Sequence, residues 1–293
     1  VSGISARDAE PVAIIAGNGR LPLYVAEAAR EAGTPAFIVQ LRGEGGNDWS
    51  DFEHMDADLG GFRPVVAALQ KRGIRRVVLS GGVRSRPELT SLRPTARVIW
   101  SLPAILKKLR SGGDDKVLRM VIDLFERHGF EIIAAQNIAG DLLATAGTLG
   151  AVALDREARA DIDAAARAAR VIGSMDIGQG AVSLGGRVVA LEGAEGTDQM
   201  LERVRAMREA GRISQKRRGV LVKLCKPQQD LRADLPSIGP ETVRAAAAAG
   251  LGGIAVEAGR ALVLDRAEAI AEADRAGLFL LGLEPDTAMK PVL

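Results

Sequence analysis

Through the first 136 residues, apolar runs of strand length alternate with stretches whose apolar positions recur at helical spacing. Residues 11–16 (PVAIIA) read as a buried strand that runs straight into Gly17-Asn18-Gly19. Residues 21–32 carry a helical apolar stripe, and Gly33 supplies the stop. Residues 37–39, 77–79 and 130–134 are further strands, and 65–71, 99–110 and 116–128 further helices. The strand at 77–79 opens into a second glycine turn, Ser80-Gly81-Gly82, and the last helix follows Gly112-Gly113-Asp114-Asp115. Such alternation predicts an open, largely parallel, Rossmann-like α/β sheet. Its glycine turns fall just past strand carboxyl ends, where such sheets bind ligands.

The pattern loosens over residues 137–154, which are rich in Gly, Ala and Thr and read as a linker. It resumes with an amphipathic helix over 155–172. After DIGQGAV come a strand at 182–184, the turn Gly185-Gly186 and a strand at 188–192. That strand ends in EGAEGTDQM, which places Glu192, Glu195 and Asp198 on a glycine-rich turn with Thr197 as helix N-cap. A helix at 199–209, a strand at 220–222, a helix at 241–249, strands at 253–258, 262–264 and 278–283 and a helix at 266–276 complete the count. The expected organisation is a disordered leader over 1–10, a first α/β domain over 11–136, the linker over 137–154 and a second α/β domain over 155–293.

Composition narrows the functional classes. With 39 Lys+Arg against 37 Asp+Glu the formal charge is +2, and aromatic residues make up 3%, so neither a global nucleic-acid signature nor a base-stacking platform is present. The one cysteine, Cys225, cannot form an internal disulfide and suits a reducing cytoplasm. His54 and His128 stand far apart with no second ligand at metal spacing. No run approaches the ~18 apolar residues of a membrane span.

The densest chemistry lies in residues 222–239, VKLCKPQQDLRADLPSIG. Lys223 and Lys226 follow an apolar strand, Pro227 stops the ladder, and Pro236 keeps Leu235 out of helical dihedrals. The result is a polar loop held at both ends. Its cations suit a phosphoanhydride, and Asp230 and Asp234 suit a divalent metal or an activated water. Arg232 adds a bidentate fork.

DIGQG at 176–180, LEGAEGTD at 191–198 and KPQQDLRADLPSIGPET at 226–242 resemble the metal-dependent UDP-2,3-diacylglucosamine pyrophosphatases of lipid A biosynthesis, the form unrelated to calcineurin-like phosphoesterases. IAGNGRLP at 15–22 and GDDKVLR at 113–119 extend the resemblance over almost the whole chain. It implies two domains, the first holding the uridine nucleotide through Gly17, Asn18, Gly19, Gly81, Gly82, Asp114 and Asp115, the second holding the acylated sugar with Gln179 and Thr197. It also implies hydrolysis of the diphosphate to UMP and 2,3-diacylglucosamine 1-phosphate, with Asp234 as the essential acid and Lys223, Lys226 and Arg232 neutralising phosphate. The implied cofactor is magnesium, with manganese as a substitute, on Asp234 and one of Asp230, Glu192, Glu195 or Asp198. The partners implied are the acylated UDP-glucosamine and, transiently, the cytoplasmic face of the inner membrane, with no nucleic acid and with a homodimer as one open assembly. A sugar-nucleotide-dependent transferase, or a non-enzymatic nucleotide- or RNA-binding protein using the basic segment 212–226, are the alternative classes.

Overall fold

The computed structural model describes residues 10–83 and 114–285. The expected leader over 1–9, the helix at 99–110 and Gly112-Gly113 lie outside the described residues. The chain forms two compact units, Val1–Gly140 with Asp230–Asp234, and Asp141–Gln229 with Leu235–Leu293.

In the first unit, β1 (Val12–Ala16), β2 (Ala36–Leu41), β3 (Glu53–Ala57), β4 (Arg76–Ser80) and β5 (Glu131–Ile132) make one parallel sheet in the order β3-β2-β1-β4-β5. The central strands are nearly all apolar because parallel strands are covered on both faces. One face packs Phe37, Val39, Val77 and Leu79 under α2 (Phe62–Lys71) and α3 (Asp114–Arg127). The other packs Ile14, Ile38 and Val78 under α1 (Leu21–Glu31) and the short α4 (Ala135–Ile138). Strand order reverses between β1 and β4, and the two glycine turns leave from those strands. The strand β3 was not expected from the sequence. It is an edge strand with Glu53, His54 and Asp56 exposed, so it lacks the apolar run that marks its neighbours.

In the second unit a six-stranded sheet runs β6-β13-β11-β9-β7-β8. The strands β9 (Val220–Lys223), β11 (Gly253–Glu257) and β13 (Phe279–Leu283) are mutually parallel. The hairpin of β7 (Gly180–Leu184) and β8 (Arg187–Leu191), and β6 (Gly147–Thr148), pair antiparallel at the two edges. One face is covered by α5 (Arg156–Ser174). The other is covered by α6 (Gly196–Glu209), α7 (Pro240–Ala248) and α8 (Arg266–Ala276). Residues 137–154, read from the sequence as a linker, supply β6 and a 3-10 turn at Gly140–Leu142.

Local chemistry sets the ends of α5 and of the hairpin. Asp155 caps α5 by accepting Ala158 N–H at 2.6 Å. Six residues on, the buried carboxylate of Asp161 accepts Ser183 Oγ at 2.7 Å, Gly185 N at 3.1 Å and Gly186 N at 2.7 Å. A helix side chain thus fixes the left-handed two-residue turn between β7 and β8. Two further strands, β10 (Ser237–Ile238) and β12 (Leu262–Val263), form a separate parallel pair that anchors the far end of the polar loop.

Candidate functional site

In the first unit the two glycine turns interlock. Asn18 N donates to Gly82 O at 2.7 Å, Gly82 N returns to Asn18 O at 3.1 Å, and Gly17 N donates to Ser80 O at 2.8 Å. A Cβ on Gly17 would lie 2.5 Å from Gly82 O, and one on Gly81 would lie 2.5 Å from Asn18 O, so both positions require glycine. Three amides expected to face a phosphate are therefore spent on joining the turns. The Asn18 side chain works instead. Its amide donates to Glu44, and its oxygen accepts Gly45 N at 2.9 Å, while Asn47 Nδ2 reaches Gly19 O at 2.9 Å. Glu44 is buried, with 4% of its surface exposed, in the loop after β2 beside a cavity of about 310 Å³ lined by Gln40, Glu44, Asn47 and Asp56. The sequence reading passed over it, although an acid past the carboxyl end of β2 is where such sheets address a ribose. Asp114 and Asp115 open α3, and their side chains lie outside the described residues.

Residues Asp230–Asp234 also belong to the first unit. Asp230 accepts Arg232 Nε at 2.9 Å, Arg232 Nη2 at 2.8 Å and Arg232 N at 3.1 Å. Arg232 further reaches Glu126 at 2.7 Å, and Gln136 Nε2 donates to Leu231 O at 2.9 Å. The Arg232 side chain holds the Asp230 carboxyl below its usual range, against the opposing pull of burial. Its two carboxylate partners raise Arg232 above an ordinary guanidinium. Asp234 is half-buried, with its amide donating to Asp230 O at 3.2 Å.

In the second unit the chemistry collects at the carboxyl ends of β9 and β11 and the start of β7. Lys223 is only 5% exposed, and its Nζ donates to Ser237 O at 3.0 Å. Among the described residues no carboxylate pairs with it. A buried ammonium with two unused donors is costly unless an anion completes it. Lys226 differs, since its Nζ lies 2.8 Å from Asp176 Oδ1. Glu192 is buried, accepting Thr197 Oγ1 at 2.6 Å and Gln179 N at 3.1 Å. Thr197 is thus not the N-cap. The helix begins at Gly196 after Glu195, because the hydroxyl is committed to Glu192. Glu195 pairs with Arg203, Asp198 is exposed, and the buried Gln179 Oε1 has no hydrogen-bond partner among the described residues. Basic residues in the last turn of α6 and in the segment after it are in part structural: Arg208 donates to Ala249 O at 2.9 Å and Arg218 to Leu251 O and Gly277 O at 2.9 Å. These guanidiniums close helix ends.

Among the described residues no three or more His, Cys, Asp or Glu side chains gather as a metal cage. Magnesium asks for less, one or two carboxylates with the remaining ligands from phosphate oxygens and water. Asp230 does not meet that demand, since Arg232 occupies both its oxygens, and Glu192 has both of its own engaged within the second unit.

Fold and site together define a two-unit α/β protein with interlocked glycine turns in one unit and a buried strand-end cation in the other. The description "LpxI N-terminal domain" matches residues 11–142, and "LpxI C-terminal domain" matches residues 145–281. The chain belongs to the LpxI family. It is 45% identical over 273 residues to the UDP-2,3-diacylglucosamine pyrophosphatase LpxI of Caulobacter vibrioides, covering 93% of this chain and 97% of that protein. A solved structure, "Crystal Structure of Isoflavone Reductase", aligns over 94% of this chain and 78% of its own at 12% identity and a TM-score of 0.26, too low to carry an argument.

Proposed function

We propose that the protein hydrolyses the diphosphate of UDP-2,3-diacylglucosamine to UMP and 2,3-diacylglucosamine 1-phosphate. The observation that carries the reading is the 45% identity, which runs through both units over 93% of the chain. The geometry supplies a fitting anion partner, the buried Lys223 ammonium, for a non-bridging phosphate oxygen. Water adds to one phosphorus, the bridging P–O bond breaks, and the water's proton passes to a carboxylate, the role we give Asp234. Magnesium, or manganese in its place, held by Asp234 and phosphate oxygens, would neutralise charge on the diphosphate. Arg232 acts at one remove, fixing Asp230 and with it the turn that presents Asp234.

Peripheral contact with a membrane, on its cytoplasmic face, belongs to the same proposal. Val171, Met175, Ile177 and Leu191 are exposed aliphatic side chains around the DIGQG loop, and no helix among the described residues is long and apolar enough to cross a bilayer. Two acyl chains leaving water require such a surface.

The test is UMP release from UDP-2,3-diacylglucosamine with and without EDTA, beside Asp234→Ala. We expect chelation to stop release. The variant should lose at least about 100-fold in turnover while still binding substrate. Near-normal turnover with a lowered melting temperature would reduce Asp234 to a turn residue.

A further inference from the structure

Glu257 ends β11, the strand flanked by β9 and β13, and is 4% exposed. The parallel register sets Val256 against Lys223, so Glu257 stands just past Lys223, where β9 gives way to the polar loop. Its Oε2 accepts Cys225 N–H at 3.2 Å, and its Oε1 lies 3.6 Å from Arg260 Nη1. A buried carboxylate at the end of a central strand costs stability that an apolar residue would not. What it does here is hold one loop amide, that of Cys225. The next amide, Lys226 N, donates at 3.0 Å to Oε1 of Gln229, itself 7% exposed, which also accepts Cys225 Sγ at 3.2 Å. Gln228 Nε2 ties the following residues to Gly173 O at 2.8 Å. The Lys226 backbone is therefore held on either side, and its ammonium swings from a fixed base toward Asp176, a residue at φ 57°.

We propose that Glu257 is a positioning residue for Lys226. By holding the Cys225 amide it sets where the Lys226 ammonium meets the diphosphate when it leaves Asp176, a role that rests on the pyrophosphatase reading. A carboxylate needed only to balance charge in the core would show a different ranking of variants. Glu257→Gln keeps an oxygen at the reach of the Cys225 amide, whereas Glu257→Asp keeps the charge and withdraws the oxygen.

The experiment measures kcat/KM for UMP release by the full chain carrying each variant alone and with Lys226→Ala, at a temperature where melts show all of them folded. Loss of a hydrogen bond to a charged group predicts a fall of roughly 10- to 100-fold for Glu257→Asp, with Glu257→Gln within about threefold of wild type. In the Lys226→Ala background both changes should add less than about twofold. An Asp variant as active as the Gln variant, or losses that multiply undiminished with Lys226→Ala, would overturn the proposal. Wild-type protein that releases no UMP would remove the pyrophosphatase reading and the proposal with it, while an active wild type with multiplying losses removes the proposal alone.

Discussion

Asp230 and Asp234 stand four positions apart in one loop, and their surroundings assign them different work. Asp230 is clasped by two bonds from the Arg232 side chain and a third from the Arg232 amide, which together outweigh burial and depress its carboxyl. A carboxyl depressed in the folded state adds stability that is complete above the ordinary aspartate value, about 4, and is lost as pH falls through the depressed one. Thermal melts should therefore show wild type losing stability more steeply than Asp230→Asn on acidification below roughly pH 4, the variant being the less stable at neutral pH. Parallel curves would show the clasp to be idle. Lys223 and Asp234 drew attention in the sequence because a charge at the end of an apolar run, or ahead of Leu-Pro, stands out locally. Glu44, Asp161 and Glu257 were not, for their partners are amides and hydroxyls distant in sequence, and a lone acid announces no such partner. Thr197 misled for a related reason. Its local pattern is that of a cap, and a buried carboxylate five residues back outcompetes it.

Elements built on continuous apolar runs were read correctly, since a parallel strand covered on both faces has few other compositions open to it. The edge strand β3 and the two-residue β6 and β10 escaped, the first because its outer face is polar, the others because two residues carry no period. The glycines of DIGQG show a constraint that spacing alone hides. A Cβ on Gly178 would lie 2.1 Å from the main-chain oxygen of Glu192, a residue whose amide is tied to Gly180 O at 2.9 Å. Gly178→Ala should cost about 1–3 kcal/mol in urea unfolding. Gly46→Ala, with nothing within 4 Å of the new atom, should cost little. Equal costs at the two positions would mean that the loop yields freely.

For the molecule as a whole, division into two α/β units was legible from the change in pattern near the middle of the chain, and the family motifs spread across both. Interleaving of the units was not. The exposed aliphatic group around DIGQG gives the proposed membrane contact a direct check. Met175→Asp with Ile177→Asp should cut flotation with phosphatidylglycerol-containing vesicles by roughly tenfold or more, since each aliphatic side chain gains about 1.5–3 kcal/mol on leaving water. Unchanged flotation would exclude this surface as the contact.

Ala233 packs against the core of the first unit, although the gene encodes it deep within the second. A recombination event that joined one ancestor's residues up to 142 to another's remainder would therefore transmit an incomplete first body, with its last strip supplied by a stranger. The halves of this protein cannot be shuffled as cassettes. Drift on the surface that receives Asp230–Asp234 has to be answered by compensating change much further along the same reading frame.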